Sequence, residues 1–192
     1  MKKVEKGDWG YIDYRKKINL IIMLASFAVV IGVFVLGLIL NKMDRNNVFT
    51  VASVVLVLPA AKFAVAYFVV APHKGADEAL KNKLEKAAGG LCMCFDCLMS
   101  NKKKPICAQA VVVTDSVICA YTLDEKADNK LFETSLQEFM KNDKLNVTVT
   151  LYKEEKTFIN RVKNLAVNFD SSKESAKEKM EWNRNSMLNM CI

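Results

Sequence analysis

Ile18–Leu40, INLIIMLASFAVVIGVFVLGLIL, and Val48–Ala71, VFTVASVVLVLPAAKFAVAYFVVA, carry one charge between them, Lys62. At a rise of 1.5 Å per residue the two runs would make helices of about 34 and 36 Å, enough to cross a hydrocarbon core of about 30 Å. A secretory signal has an apolar stretch of only about 7 to 15 residues followed by small residues. The first run is longer and ends in Leu38-Ile39-Leu40-Asn41-Lys42, which predicts a retained anchor. Residues 41–47 suffice for a turn between antiparallel helices but not for a domain. The reading is a two-helix transmembrane hairpin made of helix 18–40, loop 41–47 and helix 48–71.

Basic residues near membrane ends set orientation. Residues 1–17 hold Lys2, Lys3, Lys6, Arg15, Lys16 and Lys17, and the chain after the second run holds Lys74, Lys81, Lys83 and Lys86, against Lys42 and Arg45 in the loop. This bias predicts a multi-pass protein of the cell membrane with both termini cytoplasmic. Trp9, Tyr11, Tyr14 and Tyr67 sit where aromatic rings favour the headgroup level.

Lys62 is costly in hydrocarbon by at least about 2.5 kcal/mol. Pro59, one turn before it, removes a backbone donor and frees the carbonyl of Val55. The lysine therefore either answers loose carbonyls, Ser53 or the other helix, or marks an ion or ligand path through an oligomer. Ala28 with Gly32, and Ala60 with Ala64, permit close helix approach. They would serve the hairpin itself or a homo-oligomer formed through the transmembrane helices.

The whole chain has 192 residues, 28 Lys plus Arg against 21 Asp plus Glu, and 52% apolar residues. With 3 Pro, 7 Gly and 6 Cys it is neither disordered, nor collagen-like, nor a small disulfide scaffold. From His73 onward the balance is 19 basic to 17 acidic residues, so the net charge of +7 belongs mostly to the membrane flanks, and no nucleic-acid partner is expected.

Residues 73–170 read as a small cytoplasmic α+β domain of order α-β-β-α-β-α. Leu80, Leu84, Ala87, Leu91, Cys94 and Leu98 form an apolar helical seam through Asp77–Ser100, broken by Gly89-Gly90 into one bent helix or two. Ala108–Leu123 reads as a hairpin turning at Thr114-Asp115-Ser116, with strands covered on both faces. A helix N-capped by Asp128 follows, then an alternating strand over Leu145–Tyr152, then a helix carrying Phe158, Val162 and Leu165. Residues 171–192 read as a frayed helix or loose polar tail.

Cys92, Cys94, Cys97 and Cys107 form C-x-C-x2-C-x9-C, a candidate zinc or redox set. On a helix, however, Cys92 and Cys94 would point about 200° apart, and small apolar core filling is the simpler use. Asp115 with Asp124 and Lys126 mimics the carboxylate-lysine pattern of metal-dependent nucleases, though a strand should separate the two acids. Lys102, Lys103 and Lys104 offer a contact for anionic lipid or an acidic ligand. His73 is the only histidine, which leaves no Ser-His-Asp or Cys-His constellation, and no glycine-rich phosphate loop is present. The sequon Asn146-Val147-Thr148 falls on the expected cytoplasmic strand and is set aside.

The expectation is an integral membrane protein that holds a non-enzymatic domain at the inner membrane face to bind an unknown protein or small molecule. Its first partner is the lipid bilayer, and no cofactor is expected, with zinc as the exception the cysteines would allow. The alternatives are a membrane-tethered metal-dependent hydrolase or nuclease, and a pore or transport component built from oligomerised hairpins.

Overall fold

The computed structural model describes residues 3–40, 48–100, 104–169 and 174–192. The expected loop 41–47 lies outside these, as do Lys102 and Lys103. The chain divides into two compact units, one of residues 13–72 and the other of residues 1–12 with 73–192.

The first unit is built from two helices, α1 (Tyr11–Leu40) and α2 (Val48–Val70), both long and apolar enough to cross a membrane. Their apolar residues lie on all sides and stay unpacked: Leu24 is 58%, Ile31 61% and Leu58 72% exposed. A narrow stripe on each helix faces the other, in which Asn19 donates its side-chain amide to the Ala66 carbonyl at 3.1 Å, and Ser53 and Ala60 are buried. A cavity of about 220 Å³ lined by Ser26, Val29, Val30, Leu56, Pro59, Ala60 and Phe63 lies along this stripe. Of the two small-residue pairs, Ala60 packs inside the hairpin while Ala28 and Gly32 point outward.

The second unit is an α+β sandwich. Its sheet has the order β1-β2-β3-β4, from β1 (Cys92–Met99), β2 (Ile106–Val113), β3 (Val117–Tyr121) and β4 (Thr148–Tyr152), with only the β3–β4 pair parallel. The helices are α3 (Glu78–Ala88), α4 (Asn129–Asn142), α5 (Glu155–Asn168) and α6 (Glu174–Met190). Phe132, Leu136 and Met140 of α4 and Met187 of α6 fill the core on one sheet face. Leu80 and Leu84 of α3 and Phe158 and Val162 of α5 fill it on the other. The expected β2–β3 hairpin is present, every residue of β2 is buried, and Asp128 caps α4 by accepting the Leu131 N–H at 3.1 Å.

The order of elements after the hairpin is α-β-β-β-α-β-α-α, with a strand and a helix more than expected. The helical seam through Asp77–Ser100 is half wrong. Gly89, with φ of 56°, ends α3 in the left-handed region where glycine carries no Cβ penalty, and Cys92–Met99 continues as a strand. That segment is apolar on both faces, so period 3.6 and period 2 fit it equally well. The C-terminal tail is also corrected: α6 buries Met180, Asn183, Ser186 and Met187 at helical spacing. Two of these four are polar, which hid the stripe. Cys191 then bridges to Met99, and the Ile192 N–H donates to the Leu98 carbonyl at 2.9 Å, covering the open edge of β1.

Candidate functional site

At one level of the sheet, strands β1 and β2 leave the regular ladder together. Pairing runs Phe95 with Ala110 and Cys97 with Ala108, and the intervening Asp96 and Gln109 drop out. Asp96 has φ of 53°. Past this level the side chains of both strands change faces, so Cys94 shares a core with Cys97 and Met99, and Val111 with Ala108.

Asp96 is 1% exposed, yet its carboxylate is well supplied with donors. Its Oδ2 accepts the Gly10 N–H at 2.8 Å and its Oδ1 accepts the Ala76 N–H at 2.6 Å. A Cβ on Gly75 would come within 3.1 Å of both oxygens, so a larger residue there would crowd the carboxylate. Beside it, Gln109 donates to the Lys74 carbonyl at 2.8 Å and accepts the Leu123 N–H at 2.8 Å. The Phe95 N–H donates to the Gly7 carbonyl at 2.8 Å, the Trp9 indole N–H to the Ala76 carbonyl at 2.9 Å, and Lys81 sits 4.8 Å from the Trp9 ring centre. The chain enters the helical unit after Ile12 and leaves it before His73. Both crossings are thus flanked by segments tied to Asp96 and to each other. Asp96 was legible only as the one charge in CMCFDCLM.

The cysteines divide differently from the expected quartet. Strand alternation puts Cys92 and Cys94 on one face, and the slip at Asp96 returns Cys97 to it. Cys94, Cys97 and Cys191 are buried in one core cluster on this face, with Cys92 packed against it and Arg184 of α6 near enough to act on Cys94 electrostatically. Thiol donors from Cys92 and Cys97, with the Arg184 guanidinium, hold Cys94 well below the usual thiol range. The hydrogen bond to Cys94 and burial push Cys92 up. Cys107 faces the other way, with its thiol 3.5 Å from the Lys74 carbonyl and 3.4 Å from the Gln109 amide nitrogen. The four-thiol zinc set of Cys92, Cys94, Cys97 and Cys107 is therefore not brought together. Among the described residues, no group of three or more His, Cys, Asp or Glu side chains is arranged to hold a metal ion.

A separate cleft of about 580 Å³ runs along α6, lined by Glu178, Glu181, Trp182, Asn185, Ser186 and Asn189 together with Asp143 at the end of α4. The α6 residues recur at helical spacing, so they form one face. Trp182 is 67% exposed, and the Ser186 hydroxyl donates to the Asp143 carboxylate. Carboxylates beside an open indole are chemistry suited to a cationic group.

The other expected residues stay apart. Asp115 lies at the β2–β3 turn, where it accepts the Ser116 hydroxyl at 3.3 Å, while Asp124 follows the far end of β3 and accepts the Lys126 backbone N–H at 2.9 Å. The two acids are separated by the length of a strand and do not form a shared metal site. Lys62 is exposed on α2, turned about 200° from buried Ala60. The Ser53 hydroxyl donates within its own helix, to the Phe49 carbonyl at 2.7 Å. Lys104 is exposed just before β2, and His73 is half-buried.

No protein-family model matches this sequence, and the comparisons with curated proteins and with solved structures gave no significant match.

Proposed function

We propose that this chain is an integral membrane protein whose α1–α2 hairpin spans the bilayer and holds the α+β domain at the cytoplasmic face. There the domain acts as a non-enzymatic binding module. The observation that carries the reading is the exposure of large apolar side chains on every side of both helices. A core helix of a soluble protein buries its apolar surface, and leaving this much in water costs about 25 cal/mol per Å². The excess of basic residues before α1 and after α2 supports the inward orientation.

Within the domain, the Asp96 level ties together the segments that precede α1 and follow α2, and the α6 cleft offers a place for a cationic partner group, such as a lysine or arginine of a basic protein segment. The outward Ala28 and Gly32 support self-association of hairpins. The experiment is fractionation of the expressed full chain followed by an alkaline carbonate wash: retention in the membrane pellet agrees with the reading, and release into the supernatant contradicts it.

A further inference from the structure

We propose that the cleft along α6, on the reading of the domain as a binding module, takes an extended basic segment of a partner protein, with an arginine stacked on the Trp182 indole and neighbouring basic side chains on Glu178, Glu181 and Asp143. Three of the seven residues that line this space of about 580 Å³ are carboxylates, and none is a lysine or arginine. That selection runs against the composition, because the chain holds 28 Lys plus Arg to 21 Asp plus Glu and α6 itself contains Lys177, Lys179 and Arg184. Among the described residues the three carboxylates enter no ion pair, so their charge is left for a cation from outside. Asp143 is the C-cap of α4, an end where the helix dipole also favours positive charge. Its carboxylate accepts the hydroxyl of buried Ser186, which fixes it beside α6.

Trp182 is 67% exposed, and Glu178 stands one turn before it on the same side of the helix. A guanidinium can lie flat on the indole and turn its N–H fork to that carboxylate, which an ammonium cannot do as well. The stripe from Glu178 to Asn189 is about 16 Å long at the helical rise, the length of about five residues of extended chain. Asn185 and Asn189, exposed one turn apart, each bring an amide donor and a carbonyl acceptor for the backbone of such a chain. Asn183, on the buried side of α6, donates to the Thr114 and Asp115 carbonyls at 2.9 and 3.0 Å, so the stripe is set in place before anything binds. A metal ion is the poorer occupant: among the described residues no three acidic, thiol or imidazole groups converge on one point, and the indole would have no part in holding it.

The test titrates a fluorescein-labelled RKRKRK hexapeptide, and hexaglutamine as its neutral control, into the full chain in an uncharged detergent, read by fluorescence anisotropy. The net charge of +7 works against unspecific capture of the basic peptide. Saturable binding of the basic peptide alone is expected, weakening with salt as exposed charges are screened. Trp182→Ala should weaken it about fivefold, and Glu178→Gln with Glu181→Gln at least about tenfold. All three side chains are exposed, so the fold should survive these changes. Glu178→Lys with Glu181→Lys should transfer the preference to hexaglutamate. Equal binding of the basic and neutral peptides, affinity untouched by these substitutions, spermidine binding as tightly as the hexapeptide, or no saturation by about 1 mM overturns the proposal. A chain that stays with the membrane in the alkaline wash yet ignores the basic peptide loses this site and keeps its anchor. One that binds the peptide but is released by the wash loses the anchor and keeps the site.

Discussion

Asp96 Oδ2 accepts the backbone N–H of Gly10 at 2.8 Å across 86 positions of sequence. Its other oxygen accepts Ala76, so one buried carboxylate fastens the segment before α1 and the segment after α2 to strand β1. Hydrogen bonds to a charged acceptor contribute about 1.5–3 kcal/mol each, and a buried donor left unpaired costs about 1–3 kcal/mol. Asp96→Ala should therefore destabilise the domain by about 3–5 kcal/mol in denaturant unfolding. Asp96→Asn, which keeps one acceptor, should cost less, about 1–3 kcal/mol. An unchanged midpoint for Asp96→Ala would remove this carboxylate from the account.

Asn183 fixes α6 to the β2–β3 turn. Its side-chain amide donates to the carbonyls of Thr114 at 2.9 Å and Asp115 at 3.0 Å, and the residue is buried. Asn183→Ala leaves two acceptors without this partner and should cost about 1–3 kcal/mol. Asn183→Asp should be worse, because it points carboxylate oxygens at carbonyl oxygens. Urea titration of the two variants beside the parent checks both the size and the ranking.

Protons should couple to folding through Cys94. Its folded pKa lies below the ordinary thiol value, so between the two the folded chain holds a thiolate where the unfolded chain holds a thiol. Unfolding then takes up a proton, and the contribution is full above the ordinary thiol pKa of about 8.5 and fades as pH falls toward the folded value. Cys92, shifted upward, is protonated in both states below pH 8 and adds nothing there. Over pH 6 to 8 the parent should therefore gain stability on Cys94→Ser as pH rises. Parallel unfolding curves at pH 6, 7 and 8 measure the gap, and a constant gap would contradict the thiolate.

Lys62 faces away from α1, on the exposed side of α2. In a bilayer it contributes only cost, at least about 2.5 kcal/mol at a helix centre. Lys62→Leu should raise the fraction of α2 that inserts during translation into microsomes, scored by a glycosylation site placed beyond the helix. If insertion falls, or if membrane conductance depends on the lysine, the residue has a polar partner that the hairpin alone does not provide.

The two long apolar helices, the β2–β3 turn, the Asp128 cap, β4 and α5 were legible because each carries one strong local signal: an unbroken apolar run, a turn or cap residue, or a single clean period. β1 was not: in CMCFDCLM apolar residues occupy both faces, and the strand state is decided by pairing with β2 and by Gly89 rather than by local pattern. α6 was missed because Asn183 and Ser186 interrupt its buried stripe, although each is satisfied by a distant partner. Of the site, the C-x-C pair was visible in the sequence, but Cys191 lies 97 or more positions away and joins its core only because the residue after α6 bridges to Met99. Lone Asp96 was the overlooked signal, since a single carboxylate in an apolar strand needs buried donors.

The account rests most heavily on the membrane hairpin and its orientation, which a topology map of the full chain tests directly. Single glycosylation sites placed in residues 41–47 and at the exposed Lys153, expressed separately in microsomes, report which side each segment reaches. The account predicts modification of the 41–47 site alone, with the protein resistant to alkaline extraction. Modification of the site at 153, or release of the unmodified chain into the alkaline supernatant, would contradict it.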